Sequence, residues 1–215
     1  MKSINGILVT ETSMPDKAFS IVSGGLDSSL ATYIAKHRYK EVIPVFFDWG
    51  QKALHEEWKA VKLLASKLEL TDPVSISIPI SNWDNSSLTK GNPSQIDPKN
   101  IIVFERNLIF ISIAASFARS HGGGTLVVGF NKQDAGYDTK DSFVAEINTL
   151  LNQLNKEFPN LPIGLDAPLI QQDKYSIISQ LKEVGLFDLT YSCYAAEGPC
   201  NKCPACEKRA KFNSD

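Results

Sequence analysis

The sequence predicts an α/β protein built on a doubly wound parallel sheet. Short apolar runs alternate with longer segments in which apolar residues recur every three to four positions, as strands followed by helices do. With 215 residues, of which 43% are hydrophobic, the chain can bury the core that such a sheet requires. We therefore expect a ligand site at the carboxyl ends of the strands.

The amino-terminal half contains three strands and two helices in alternation. A short apolar run predicts a strand at Ala18–Val22, and helical spacing of apolar residues predicts a helix at Leu26–Lys36. The next apolar run predicts a second strand at Val42–Phe47, and a longer amphipathic segment predicts a helix at Leu54–Leu68. Alternating apolar and polar residues predict a third strand at Val74–Pro79.

The carboxyl-terminal half continues the alternation. The strongly apolar segment Arg106–Ser120 predicts a helix, and the three glycines that follow His121 predict where it ends. The apolar run Thr125–Gly129 predicts a fourth strand, as expected for a central parallel strand. Helical periodicity predicts a helix at Ser142–Lys156, an apolar run predicts a fifth strand at Ile163–Pro168, and the last helix is predicted at Tyr175–Glu183.

Two domains of very different size are expected. Residues 1–189 form the α/β domain, and residues 190–215 form a cysteine module packed on it. The polar stretch Ser81–Asn100 predicts a mobile loop that could serve as a lid. The segment Met1–Lys17 delays the first strand of the sheet.

The charge balance argues against a nucleic-acid-binding protein. Lysine and arginine number 22 against 24 aspartate and glutamate residues, which gives a net charge of -2. The longest apolar run, Leu108–Ala118, is much shorter than the roughly 20 residues of a membrane span. The amino terminus shows no apolar stretch of signal-peptide length, so we expect a cytoplasmic protein that does not span a membrane.

All four cysteines lie near the carboxyl terminus, at Cys193, Cys200, Cys203 and Cys206. The spacing C-x6-C-x2-C-x2-C allows four thiolates to surround one tetrahedral ion, which predicts a structural Zn²⁺ site. Two disulfides, free thiols or an iron–sulfur cluster are the alternatives. Four basic residues close by could offset the thiolate charge or face an anion: Lys202, Lys208, Arg209 and Lys211.

A glycine-rich turn joins the first strand to the first helix. It follows Val22 and reads Ser23-Gly24-Gly25-Leu26-Asp27-Ser28-Ser29. Backbone amides and serine hydroxyls at a helix amino terminus form an anion site, although the turn has neither the lysine of a Walker loop nor a dinucleotide fingerprint. The alternative is a turn in which Asp27 or a serine only caps the helix.

This heptad resembles the pyrophosphate loop of the N-type ATP pyrophosphatases. The resemblance implies that ATP is cleaved between its α and β phosphates, with pyrophosphate held in the loop and AMP passed to a substrate oxygen. It implies that Asp27 is the carboxylate linked to Mg²⁺, because this cation prefers oxygen ligands.

Further segments narrow the resemblance to the 7-cyano-7-deazaguanine synthase family. They cover the chain from about residue 18 to residue 212, in the order in which the family has them. The segments are Asp48-Trp49-Gly50-Gln51 with Glu56 and Glu57, Glu105-Arg106-Asn107-Leu108, Gly129-Phe130-Asn131 with Asp134, Asp138 and Phe143, Ala167-Pro168-Leu169 with Lys174, and Thr190-Tyr191-Ser192-Cys193-Tyr194 with the other cysteines and Arg209.

The resemblance implies an ATP-dependent ligase that adenylates the carboxylate of 7-carboxy-7-deazaguanine and, with ammonia, converts it through the amide to the nitrile. It also implies a homodimer. The implied catalytic residues are Ser23, Asp27, Ser28, Arg106 and Lys174. The implied nucleotide- and substrate-binding residues are Val22, Ser23, Gly24, Gly25, Leu26, Asp27, Ser28, Ser29, Asp48, Gln51, Arg106, Asn107, Gly129, Asn131, Asp134, Asp138 and Lys174.

For several of these residues the sequence allows an ordinary structural role. Lys174 could be a solvated surface lysine, and Arg106 and Asn107 could form a salt bridge and a cap at the start of their helix. Asp134 and Asp138 could hold N–H groups of the base or cap a loop.

The chain departs from the family pattern at two places. Residues 136–140 read Gly-Tyr-Asp-Thr-Lys where the family usually has Tyr-Pro-Asp-Cys-Arg, and Asn201 replaces the usual glycine between two cysteines. A paralogue that transfers the activated carboxylate to another amine, such as an amine on a protein, is therefore one alternative. A tRNA-modifying pyrophosphatase and a nucleotide-binding module without chemistry are two others.

Overall fold

The computed structural model describes residues 2–4, 7–9 and 16–212. The amino-terminal segment contains a small antiparallel pair, β1 (Lys2–Ile4) and β2 (Ile7–Val9). The main sheet consists of β3 (Lys17–Ile21), β4 (Glu41–Asp48), β5 (Val74–Ser77), β6 (Gly124–Val127) and β7 (Ile163–Asp166). The helices are α1 (Leu26–Arg38), α2 (Leu54–Lys67), α3 (Arg106–Ser120), α4 (Asp141–Glu157), α5 (Lys174–Glu183) and α6 (Pro204–Ala210).

The five main strands run parallel in the order β5-β4-β3-β6-β7, which confirms the predicted sheet. The chain builds outward from β3 to β5 and then crosses back to place β6 on the other side of β3. This reversal opens a crevice at the carboxyl ends of β3 and β6, where ligands bind in doubly wound folds.

Helices cover both faces of the sheet. On one face, Phe19 and Phe47 pack in the apolar cluster that includes α3 and α4. On the other face, Phe46 and Val127 pack in the cluster that includes α1, α2 and α5. Neighbouring strand residues therefore alternate between two cores, which explains why most positions of the central strands are apolar on both faces.

All five predicted strands differ from the observed ones by one or two residues at their ends. The third and fifth strands end earlier than predicted, at Ser77 and Asp166, because the chain turns away from the sheet before the prolines that follow. The fourth strand begins at Gly124 and ends at Val127, so that Gly129 lies in the loop beyond it.

The predicted loop Ser81–Asn100 is a sequence of turns held by its own hydrogen bonds. The carboxylate of Asp84, which is buried, accepts hydrogen bonds of 2.6 Å from the hydroxyls of Ser86 and Thr89. Leu88 is buried in the core cluster of α3 and α4. The base of this loop is thereby anchored to the sheet, and its role as a lid stays a prediction.

Candidate functional site

The glycine-rich loop leaves β3 and turns sharply into α1. Gly24 has a φ of +76°, and a Cβ atom there would lie 2.8 Å from the carbonyl oxygen of Glu57 in α2. The backbone N–H of Ser23 donates to Oγ of Ser28 over 3.1 Å, and the two hydroxyls lie 3.1 Å apart. The loop is thus a closed polar turn at a helix amino terminus, the arrangement that binds phosphate.

Asp27 and Lys174 form an ion pair across the crevice. Nζ of Lys174, at the start of α5, lies 2.6 and 2.5 Å from the two carboxylate oxygens of Asp27. The side chains are only 19% and 26% exposed. The interpretation of Lys174 as a solvated surface residue is wrong, because the lysine reaches the phosphate loop from a distant part of the sequence.

The loop after β6 packs tightly against the start of α1. A Cβ atom on Gly129 would lie 2.6 Å from the backbone nitrogen of Ser28, so only glycine allows this approach. Further along, the Asn131 side-chain amide donates to Asp134 over 2.9 Å. Burial, together with the charge of Asp27, raises the pKa of Asp134 even though the Asn131 backbone hydrogen bond opposes the shift.

Gln51 fixes the loop after β4. Its side-chain oxygen accepts from the Trp49 backbone N–H over 2.9 Å, and its amide nitrogen donates to the Phe47 carbonyl and the Glu57 carboxylate, each over 3.0 Å. These contacts occupy the amide of Gln51. Asp48 likewise accepts from the Gly50 N–H at 3.2 Å.

Arg106 extends from α3 across two aromatic rings. Its guanidinium carbon lies 5.3 Å from the ring centre of Trp49 and 5.9 Å from that of Phe110. The Nε atom is buried and has no hydrogen-bond partner among the described residues. The interpretation of Arg106 as a helix-start salt bridge is wrong, because its described contacts are these two rings. The cation is thus positioned to meet an anion.

These groups line one cavity of about 780 Å³. The predicted site residues on its wall are Val22, Ser23, Gly25, Leu26, Asp27, Ser28, Gln51, Arg106, Asn107, Gly129, Asn131, Asp134, Asp138 and Lys174. Three predicted residues, Gly24, Ser29 and Asp48, are not among the lining residues. Ser29 is buried at the base of α1. Most of the predicted set therefore meets at the switch point of the sheet.

The cavity also contains residues to which the sequence analysis assigned no role, and basic residues for which it gave two alternative roles. Glu57 contributes a carboxylate from α2, and Tyr194 contributes an aromatic ring from the cysteine module. Lys208 and Lys211 reach the cavity from α6 and its end, so two of the four basic residues near the cysteines do face it. In the sequence, Glu57 is marked only by its position after Gln51, within a segment that resembles the family.

The four cysteine Sγ atoms lie within 4.8 Å of one another, and three of the cysteines are buried. A tetrahedral Zn²⁺ with ligands at about 2.3 Å requires sulfur atoms about 3.8 Å apart, so the group can hold a metal ion after small adjustments. The backbone N–H groups of Ala195 and Cys200 donate to the Cys193 sulfur, as expected for a thiolate ligand. The thiols are unpaired, in contrast to the disulfide alternative.

The cysteine module is attached directly to the phosphate loop. The Tyr191 backbone N–H donates to the Gly24 carbonyl over 2.8 Å. Arg209 of α6 donates to the Thr190 hydroxyl over 2.6 Å and to the Phe187 carbonyl over 2.9 Å. These internal contacts occupy Arg209. Asn201 has a left-handed φ of 56°, which explains why a glycine usually stands there and why asparagine can replace it.

Comparisons with known proteins identify the family of this chain. Residues 17–214 match the family model of "Queuosine biosynthesis protein QueC". The 7-cyano-7-deazaguanine synthase of Prochlorococcus marinus (strain NATL2A) is 35% identical over 206 residues, covering 89% of this chain and 90% of the relative. The enzyme of the same name from Campylobacter hominis is 32% identical over 208 residues, covering 91% and 93%.

The fold is shared with a solved structure of U34-tRNA thiolase NcsA from Methanococcus maripaludis. The TM-score is 0.53 at 13% identity, covering 94% of this chain and 66% of that one. In the part of the chain that the structure describes, every helix falls short of the length and apolarity that a bilayer crossing needs. With a family match over nearly the whole α/β core and the cysteine module, the chain belongs to the queuosine biosynthesis protein QueC family.

Proposed function

We propose that this chain is an ATP-dependent ligase that converts 7-carboxy-7-deazaguanine, through an acyl-adenylate and an amide, to 7-cyano-7-deazaguanine. One ATP activates the carboxylate, and a second ATP activates the amide oxygen, which leaves as part of AMP when the nitrile forms. The observation that carries the proposal is the single cavity in which the phosphate loop, the Asp27–Lys174 pair and Arg106 meet. The relatives named 7-cyano-7-deazaguanine synthase support the choice of substrate.

The loop and its neighbours position the triphosphate. Amides and hydroxyls of Ser23 to Ser28 hold the pyrophosphate, and Lys174 exchanges Asp27 for a phosphate oxygen. Asp27 would then be free to hold Mg²⁺, which would neutralise charge on the phosphates. The substrate carboxylate attacks the α-phosphorus, and pyrophosphate leaves with the bonding electrons. Nucleotidyl transfer of this kind depends on alignment and electrostatic stabilisation, which these fixed groups supply.

The wider part of the cavity holds the heterocycle. Trp49, Phe110 and Phe130 offer aromatic surface, and Asp134 offers a carboxylate for N–H groups of the base. Arg106 is placed to neutralise the substrate carboxylate or a phosphate. A Zn²⁺ ion held by the four cysteines would be structural, because four thiolates leave no open coordination position.

One observation favours a second candidate, transfer of the activated carboxylate to an amine other than ammonia. The altered segment 136–140 lies at the cavity, with Asp138 and Thr139 on its wall. Tyr137 is 60% exposed, and its hydroxyl donates to Glu146 over 2.7 Å. Segment 136–140 therefore departs from the family pattern, and it does so at the part of the cavity where we expect the amine acceptor to approach.

Mass spectrometry of the purified protein with ATP, Mg²⁺ and 7-carboxy-7-deazaguanine tests the proposal. The synthase predicts AMP and an ammonium-dependent nitrile. AMP with an adduct on a protein, or with the amide alone, would favour the second candidate. Absence of AMP under all conditions would contradict both candidates and leave a nucleotide-binding module.

A further inference from the structure

Glu57 is a cavity carboxylate to which the adenylation step gives no role. It lies in the first turn of α2, directly behind the phosphate loop that packs on its backbone. The amide of Gln51 holds one carboxylate oxygen, Oε2, over 3.0 Å. Among the described residues, no side chain or backbone group hydrogen-bonds to the other oxygen, Oε1.

The reaction under Proposed function needs a proton acceptor that the cavity must supply. Ammonia is present in neutral water almost entirely as ammonium, which has no lone pair with which to attack an acyl carbon. Asp27 and Lys174 are paired with each other, and Asp134 is held by Asn131. The remaining carboxylate of the cavity wall, Asp138, accepts no hydrogen bond from a described residue, so nothing fixes its orientation. Glu57 is therefore the wall carboxylate that has one fixed and one free oxygen.

We propose that Glu57 binds the ammonium ion at the site and accepts its proton, acting as the general base of the amine-transfer step. The inference rests on the proposed function, and it adds a catalytic residue to the adenylation machinery. A fixed Oε2 and a free Oε1 suit this role, because the carboxylate is oriented by Gln51 and still open to a cationic ligand.

The step balances in atoms and charge. One N–H bond of ammonium breaks, its proton bonds to the Glu57 carboxylate, and the nitrogen retains the electron pair. This pair forms the C–N bond to the acyl carbon, and the C–O bond to AMP breaks with its electrons leaving on AMP. Glu57 releases the first proton to solvent water, and a second proton passes from the nitrogen to water to give the neutral amide, so that the carboxylate is ready for the next cycle.

The surroundings of Glu57 favour a base that works at neutral pH. Burial raises its pKa to about 7, although the Gln51 hydrogen bond and the Arg106 charge oppose the shift. The charged group that faces it from α3 is Arg106, and Tyr194 from the cysteine module is the titratable group on that side. A carboxylate of this kind accepts a proton better than an ordinary surface glutamate.

The test compares Glu57→Gln with the control Glu56→Gln, a neighbouring residue that does not line the cavity. Glutamine keeps an oxygen for the Gln51 hydrogen bond but cannot accept the proton. We expect ammonium-dependent amide formation to fall about 10²-fold or more in Glu57→Gln. Exchange of pyrophosphate into ATP, which requires 7-carboxy-7-deazaguanine but no ammonium, should be retained. Hydroxylamine, which is mostly unprotonated at neutral pH, should restore product formation as the hydroxamate.

Equal losses with ammonium and hydroxylamine, or no loss with either, would overturn the assignment of Glu57. If the wild-type protein shows no pyrophosphate exchange with 7-carboxy-7-deazaguanine, the proposed function itself fails, which is a separate result. The wild-type pH profile gives a test that needs no variant. At fixed subsaturating total ammonium, the rate should rise with pH and level off above about 7. A rate that continues to rise tenfold per pH unit to pH 8 would show direct attack by free ammonia and contradict the proposal.

Discussion

At the scale of single residues, Asp27 connects the phosphate loop to α5. Its carboxylate holds Lys174 at 2.5 to 2.6 Å, and in the proposed reaction it faces Mg²⁺. We expect Asp27→Ala to lower AMP formation by about 10²- to 10³-fold, because the variant lacks the carboxylate that would position Mg²⁺ at the phosphates. The control is Asp72→Ala at an exposed position. The unfolding temperatures of both variants should stay close to that of the wild type; unchanged AMP formation in Asp27→Ala would remove its assignment.

Glu57 also makes stability depend on pH. Its pKa is about 7 in the folded chain against an ordinary value of 4.5, so the folded state binds more protons between these pH values. The contribution of Glu57 to stability therefore falls as the pH rises through this window. Thermal unfolding of Glu57→Gln should show a gain over the wild type that is larger at pH 8 than at pH 4.5. A gain that does not change with pH would show that burial does not shift this carboxyl group.

At the scale of elements, the contact between the loop after β6 and the start of α1 forms one wall of the crevice. Gly129→Ala places a methyl group against the backbone of Asp27 and Ser28, and we expect a cost of about 1–3 kcal/mol with weaker ATP binding. The control Gly164→Ala meets nothing closer than 4.0 Å. Denaturant unfolding and ATP titration measure both effects. If the two variants behave alike, this contact does not position the loop.

The cysteine module forms another part of the cavity wall. We propose that residues 190–215 fold around one Zn²⁺ ion and that the ion indirectly holds Tyr191 against Gly24 and Lys208 near the cavity. Elemental analysis should give one zinc per chain. Cys203→Ser should lower the unfolding temperature by roughly 8 °C or more, since metal loss is among the most destabilising changes. Lys202→Ala, at an exposed residue of the same module, should leave both values unchanged. Iron in place of zinc would support the cluster alternative.

At the scale of the whole molecule, the sequence predicted the parallel sheet and the phosphate loop because both depend on local patterns. The apolar run before Ser23 marks a strand, and Gly24 supplies the left-handed φ of +76° that the turn into the helix requires. The sequence could not predict the stack of Arg106 on Trp49 or the placement of Glu57, because these residues meet only through tertiary packing between α2, α3 and the loop after β4. The pairing of Asp27 with Lys174 likewise joins residues 147 positions apart.

The proposed function requires that this cavity cleaves ATP between its α and β phosphates to activate a carboxylate. Phosphorus NMR of the reaction with ATP, Mg²⁺ and 7-carboxy-7-deazaguanine measures this directly, because it distinguishes the phosphate products. We expect AMP and pyrophosphate in equal amounts, formed only when 7-carboxy-7-deazaguanine is present. ADP and inorganic phosphate would contradict it, since the loop would then not hold the pyrophosphate leaving group.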